Sequence, residues 1–330
     1  MSEISIIAPC FNEEEVVGLF YQRLRSSLDR CAAPDLRFSV ILVDDGSTDS
    51  TLNVLHDLAS RDAAVTVLSL SRNFGHQVAL SAGMDHAEAD AVILMDSDLQ
   101  HPPDLIPEMI RLWTEGFDIV SAVRRRTADA TPFKSISASS FYAIFNFFSD
   151  TKILSGVADF CLLSRRVCET IRSMPERHRF LRGMLSWVGF RRATVPYSAP
   201  PRAAGTRKYT FGRMLHLAAD AVFSFTAGPI RLAARLGLLV VFLSAVYFVY
   251  IMIRYLFYGR LVEGWASLIV VVLCLGGFQL LFIGLIGEYL ARIFEESKGR
   301  PLYILKEAPG GVKKTPGGAR RNPPQQTSRQ

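Results

Sequence analysis

Short apolar runs alternate with segments of helical periodicity up to Met95. Ile4–Ala8 is a β-rich run that stops at Pro9. From Glu13 to Leu28, the residues Val16, Val17, Leu19, Phe20, Leu24 and Leu28 recur at helical spacing. Phe38–Val43 predicts a second strand, Ser50–Ser60 a helix and Ala64–Ser69 a third strand. Gly75–Ala87 predicts a further helix and Ala91–Met95 a fourth strand. This alternation predicts βαβ units: an α/β chain with a mainly parallel sheet covered on both faces. In such sheets ligands bind beyond the carboxyl ends of the strands. The polar clusters Pro9–Glu13, Asp44–Asp49, Ser71–Gln77 and Asp96–His101 all fall there.

The pattern changes further on. In Phe133–Phe148 the residues Phe141, Ile144, Phe145 and Phe148 recur at three- and four-residue steps, which suits a core helix or an interfacial one equally. Tyr209–Arg231 offers the same choice, and its proximity to longer apolar segments favours the interface. Leu236–Ile253 and Trp265–Gly287 carry no charged residue. Each extends to about 20 residues, the length of a transmembrane helix. The short link Arg254–Gly264 predicts a helical hairpin, and Tyr250, Tyr255, Tyr258 and Trp265 suit an aromatic belt. Arg231 and Arg235 precede the pair, and Arg292, Lys298 and Arg300 follow it, against Arg254 and Arg260 in the link. That imbalance places both ends in the cytosol. The resulting division is a soluble domain at 1–208, an interfacial region at 209–231, two spans within 232–290, and a C-terminal segment at 291–330. From Glu307 the chain is rich in Pro, Gly, Gln and Arg, which predicts disorder.

Composition agrees with a soluble domain on a membrane anchor. Hydrophobic residues make up 49% of the 330 and charged residues 21%, with a mean hydropathy of +0.22. The start, MSEISIIAPCFNEEE, lacks a basic region followed by a long apolar core, so no signal peptide is predicted. Five scattered cysteines, with no C-x-x-C pair, read as reduced thiols facing the cytosol. The net charge of +6 gathers near the apolar segments and in the tail, which favours an anionic membrane surface and no nucleic acid.

The most informative stretch is Ile93–Pro103, ILMDSDLQHPP. A buried strand delivers Asp96 and Asp98 to its end. Carboxylates at i and i+2 in a bend can share one hard cation, Mg²⁺ or Mn²⁺, leaving positions for substrate phosphate oxygens. A second cluster, DDGSTD at Asp44–Asp49, ends the second strand. Ser47 and Asp49 suit a turn and a helix cap. Capping does not explain two adjacent acids, which can accept hydrogen bonds from a uracil imide and ribose hydroxyls. Neither GxGxxG after the first strand nor GxxxxGK[ST] anywhere is present, which argues against a nicotinamide dehydrogenase and a P-loop NTPase.

Taken in order, APCFNEEE, VDDGSTDST, SRNFGHQVALSAGMDHA and MDSDLQHPPDLI resemble family 2 glycosyltransferases of fold type A. GVADFCLLSRR at Gly156–Arg166 and RAAGTRKY at Arg202–Tyr209 resemble two further segments of the polyprenyl-phosphate glycosyltransferases; Arg207 stands where serine is usual. The resemblance covers roughly Ser2–Leu305. It implies a Rossmann-like nucleotide-sugar-binding sheet with interfacial helices and a two-helix membrane hairpin. The implied reaction is metal-dependent, inverting transfer of a sugar, glucose from UDP-glucose favoured, to polyprenyl (undecaprenyl) phosphate at the cytosolic membrane face.

By the matching motifs, Pro9, Asn12, Glu13, Asp44, Asp45, Arg72, Gly75, Gln77 and Asp96 would line the donor nucleotide site. Asp96, Asp98 and Gln100 would surround the metal, with Asp98 the direct ligand and a part of the catalytic set. Asp159 carries the family precedent of a catalytic carboxylate; it could instead orient acceptor or sugar, or pair structurally with Arg165 or Arg166. Arg124, Lys134, Arg202 and Lys208 are candidates for the acceptor phosphate, Arg124 having Arg125 and Arg126 beside it. His76 and His101 read as hydrogen-bonded packing residues at least as readily as catalytic ones. Relatives with a hairpin suggest a homo-oligomer, a tetramer. A processive polysaccharide synthase is disfavoured because Q-x-x-R-W is absent. A non-catalytic scaffold on the same fold is disfavoured by the complete acidic motifs.

Overall fold

The first strand of the chain lies inside the sheet. β1 (Ser2–Cys10) is buried from Ile4 through Cys10, as an apolar run between parallel neighbours requires. The computed structural model describes residues 2–31, 35–124, 157–198, 228–258 and 264–307. β2 (Leu36–Asp44), β3 (Val65–Leu70) and β4 (Ala91–Leu94) complete a parallel block in the order β3-β2-β1-β4. Between them run α1 (Val17–Arg30), α2 (Thr51–Arg61) and α3 (His76–His86). All seven elements expected in this stretch are present. The first helix starts later than its periodicity suggested, because Glu13–Val16 forms a turn whose Glu13 carbonyl accepts from the Val16 and Val17 amides at 3.0 and 2.9 Å.

Apolar side chains cover both faces of the block. Ile4, Ile6 and Ala8 join Val17, Phe20, Leu24 and Leu28 of α1 in one buried cluster. Burying a side chain such as Phe20 contributes about 1.5–3 kcal/mol. On the other face α3 comes so close that a Cβ on Gly83 would strike Ile7.

Past β4 the sheet is mixed, not mainly parallel as the alternation suggested. A 3₁₀ turn (Pro103–Leu105) and α4 (Ile106–Thr114) lead to β5 (Ile119–Arg124). β6 (Val157–Ser164) runs antiparallel between β4 and β5. It is followed by α5 (Arg165–Ser173), α6 (Leu181–Trp187) and β7 (Arg192–Tyr197), which pairs parallel with β5. The reversal has a consequence for the site. In the register Leu94↔Cys161, two further residues on each strand bring Asp159 level with Asp96 at the carboxyl end of β4.

The far edge is closed by β8 (Leu305–Glu307), antiparallel to β3. The full order is β7-β5-β6-β4-β1-β2-β3-β8.

A second unit holds α7 (Gly228–Tyr258) and α8 (Trp265–Ser297). At about 1.5 Å per residue, both exceed the roughly 30 Å of hydrocarbon in a bilayer. Ala233–Tyr250 and Leu275–Ser297 have mean hydropathies of 1.9 and 1.4, and neither window is buried against protein. Leu238, Phe257 and Leu280 are 77%, 80% and 72% exposed. Apolar side chains turned outward along two such helices belong in lipid, so the chain has a two-span membrane anchor. The run 133–148, most of 209–231 and the tail after 307 lie outside the described residues.

Candidate active site

Four loops at the carboxyl ends of β1 to β4 are laced together by side chains. Asn12, at φ 55°, donates its amide to Ser47 Oγ at 3.1 Å, and its Oδ1 accepts from the Thr48 amide at 2.9 Å. The Glu13 amide donates to Thr51 Oγ1 at 2.8 Å, and Glu14 accepts from the Ser50 amide at 2.8 Å. The loop after β1 and the loop after β2 therefore move as one. Gly46, at φ +69°, lies against the Arg72 backbone; a Cβ there would collide with it.

Asp44 and Asp45 are buried and organise the next loop. Asp44 accepts from the Ser47 amide and from Ser69 Oγ, both at 3.1 Å. Asp45 takes the Phe74 amide at 2.7 Å on one oxygen and the Gly75 amide at 2.9 Å on the other. Burial pushes the Asp45 carboxyl up, opposed by those two N–H groups. Both acids thus brace the loops after β2 and β3 as well as standing at the strand end. Gly75, at φ +100°, leads into α3. Arg72 is exposed, with its guanidinium 4.1 Å over the Phe74 ring. Pro9 is the penultimate residue of β1, and its carbonyl accepts from the buried Ser97 Oγ at 2.9 Å.

Asp96 follows β4. Its amide donates to His101 Nδ1 at 2.9 Å, and His101 stacks on Phe160 with ring centres 5.3 Å apart. That bond leaves the other ring nitrogen of a neutral His101 with the proton, 3.6 Å from Asp96 Oδ2. Asp96 Oδ1 is buried and takes no hydrogen bond. Burial pushes this carboxyl up, with His76 and His101 opposing. Asp98 accepts from the Gln100 amide at 3.0 Å, so Asp98 and Gln100 share one tight bend, with Leu99 at φ 62° between them.

Asp159 is almost fully enclosed by polar partners. Arg182 grips it with both arms, Nε to Oδ1 at 2.7 Å and Nη2 to Oδ2 at 2.9 Å. Gln77 Nε2 donates to Oδ2 at 3.3 Å, and Gln77 Oε1 accepts from the Leu181 amide at 3.0 Å. Gln77 therefore ties α3, β6 and the start of α6 together. His76 Nε2 lies 3.2 Å from Asp96 Oδ1 and 3.7 Å from Asp159 Oδ2. Burial alone would raise the Asp159 carboxyl, but Arg182 and His76 outweigh it and keep it well below the usual carboxylate range. Burial lowers the His76 imidazole, and the two aspartates more than reverse that.

The sequence offered Arg165 or Arg166 as a structural partner for Asp159. Neither fills that place: Arg165 pairs with Asp90 at 3.3 Å, and Arg166 lies over the Phe190 ring. Arg182 was not foreseen. It sits in no motif, and its only signal was a lone arginine in the short α6. His76 and His101, left open between packing and chemistry, both contact Asp96. Arg124 ends β5 in register with the buried Tyr197 and is exposed. Lys134, Arg202 and Lys208 lie outside the described residues, as do Arg125 and Arg126.

A sheet whose central strand runs into a DxD segment, with polar loops gathered at the strand ends, is that of the sugar-transferring enzymes of fold type A, as the family match also has it. Residues 5–172 match the family model for Glycosyl transferase family 2, and the chain belongs to that family. It is 39% identical over 308 residues to the uncharacterized glycosyltransferase YkcC of Bacillus subtilis (strain 168), covering 93% of this chain and 94% of that protein. It is 41% identical over 304 residues to the bactoprenol glucosyl transferase of Shigella phage SfV, covering 92% and 98%. With the uncharacterized glycosyltransferase sll0501 of Synechocystis sp. it shares 39% over 305 residues, covering 92% and 95%.

Proposed function

We propose that the chain transfers a hexose, glucose from UDP-glucose being favoured, to polyprenyl phosphate at the cytosolic face of the membrane. The observation that carries this reading is the pair of acids at the end of β4: Asp96, whose buried Oδ1 has only the His76 imidazole 3.2 Å away, and Asp98 two residues on. Two carboxylates at i and i+2 beyond a buried strand carry more negative charge than the His76 imidazole beside them offsets, which suits a divalent cation. The donor set is oxygen only, which fits Mg²⁺ or Mn²⁺, held by Asp96, Asp98 and Gln100. Among the described residues no cluster of three or more His, Cys, Asp and Glu could hold a metal. An ion there would also take ligands from the donor's diphosphate. When bound, such an ion neutralises charge developing on the leaving diphosphate.

The chain's own residues do the rest. The loops carrying Pro9, Asn12, Glu13, Asp44, Asp45, Arg72 and Gly75 frame the nucleotide. Gln77, His76 and Arg182 fix Asp159 level with Asp96, where the sugar must lie. The nucleophile is an acceptor phosphate oxygen. With a second pKa of about 6, the phosphate is mostly dianionic at neutral pH and needs no base. Its oxygen forms a bond to the anomeric carbon as the bond to the diphosphate oxygen breaks, and the electron pair leaves with UDP. Attack from the opposite face inverts the centre. Asp159, kept ionised by Arg182, is a weak proton acceptor; it orients sugar or acceptor instead of deprotonating one. Arg124, with Lys134, Arg202 and Lys208, supplies cations for the lipid phosphate, for which Arg forks are well shaped. The relatives named bactoprenol glucosyl transferases support both glucose and a polyprenyl acceptor. The basic flanks of the two spans support a cytosolic site, and resemblance supports a tetramer.

A panel of radiolabelled nucleotide sugars tests the reading, with full-length enzyme, undecaprenyl phosphate and Mn²⁺. Label should enter the organic-extractable lipid from UDP-glucose ahead of the other donors. Transfer only from GDP-mannose, or label that stays water-soluble with every donor, would overturn it.

A further inference from the structure

Beyond the last span the chain returns to the sheet, and the return ends at the donor loop. Only Lys298 separates α8 from Gly299, at φ +58°. Arg177 then donates to the carbonyls of Arg300 and Pro301. Tyr303 is 3% exposed, an unusual depth for a tyrosine in a polar C-terminal segment. Its hydroxyl donates to Asp85 Oδ2 at 3.2 Å, at the end of α3, and its ring lies 6.1 Å from that of His86. The Ile304 carbonyl accepts from the Ser71 amide at 2.8 Å, and Leu305–Glu307 pairs with Ser69 and Leu70.

The next residues, Arg72 to Gly75, form the loop whose far end Asp45 grips through Phe74 and Gly75. The loop between β3 and α3 is thus fixed at three points. Asp45 secures its end, the Ile304 carbonyl its start, and Tyr303 the helix it leads into.

We propose that residues 299–307 are a strap that positions the donor loop, with Tyr303 as its positioning residue. The proposal rests on the reading of Arg72–Gly75 as part of the nucleotide site. A polar tail alone would not account for a buried tyrosine and a backbone bond at the first residue of that loop. An edge strand added only to protect β3 would need neither. The strap also makes donor binding depend on chain that follows the membrane anchor. A protein ending near Arg231 would lose this brace along with the spans.

The test uses full-length protein. Tyr303→Ala should raise amide hydrogen exchange in residues 71–75 and leave α1 protected. It should raise the donor KM about five- to tenfold, the size of losing one or two net hydrogen bonds, with the acceptor KM unchanged. Tyr303→Phe keeps the buried ring but loses the hydroxyl's bond to Asp85, so its donor KM should fall between those of wild type and Tyr303→Ala. Arg177→Ala, at an exposed clamp, gives the same pattern more weakly and guards against misfolding of the alanine variant. Unchanged exchange at 71–75 in folded Tyr303→Ala and Arg177→Ala would overturn the strap. So would equal losses for donor and acceptor. The exchange arm needs no substrate, so it stands even if UDP-glucose is not the donor.

Discussion

Asp159 receives three hydrogen bonds from Arg182 and Gln77 and lies close to His76. Each of these stabilises its ionised form, and together they outweigh burial. Its share of stability is present above the unfolded pKa of about 3.9 and is lost only as pH falls towards the lowered folded value. It therefore does not vary across neutral pH. Held that low, Asp159 is a poor candidate for the group behind an acidic limb of activity. Asp159→Asn should lower kcat by about tenfold or more, the size of a lost charge-assisted contact. The acidic limb should stay near the acceptor's second pKa of about 6. A limb that disappears in Asp159→Asn would make it the general base. At this scale the strand-end acids were legible, because an apolar run ending in DxD puts both carboxylates in one place. Arg182 was not, since its bond to Asp159 follows from the antiparallel register of β6 and not from local spacing.

The parallel block and its helices were readable because each element carries its own period, unbroken and bounded by turn residues. β5 to β7 escaped because their pairing is antiparallel or skips a neighbour, and the inserted β6 had been read only as a motif. β8 could not be read: three residues in a polar tail become a strand only beside Leu70, far away in sequence. Two glycines separate fold from site at this scale. Gly83→Ala should cost about 1–3 kcal/mol, since α3 must retreat from Ile7. Its melting temperature should fall while donor affinity in the folded protein changes little. Gly46→Ala combines a left-handed φ with a collision against the Arg72 backbone and should cost more than about 1 kcal/mol. Because it displaces the donor loop, UDP affinity should fall with stability. Calorimetric titration with UDP distinguishes the two; equal affinities in both variants would sever the link between Gly46 and the donor loop.

The whole molecule joins a soluble sheet to two helices that turn apolar side chains outward. The spans were plain in the sequence, because nothing but lipid explains such lengths without charge. What the sequence hid is that the chain comes back to the sheet afterwards, so the anchor is an insertion in the sequence of the catalytic unit. In the proposed function a divalent cation at the DxD segment drives sugar transfer to a lipid phosphate. The direct test compares full-length wild type and Asp98→Asn on UDP-glucose and undecaprenyl phosphate, with Mn²⁺ or with EDTA, following label into lipid. Wild type should transfer with Mn²⁺ and stop with EDTA. Asp98→Asn should lose several kcal/mol of barrier lowering, a rate loss of about a thousandfold, while remaining folded in the membrane. Wild-type rates in EDTA, or substantial transfer by Asp98→Asn in EDTA, would contradict it.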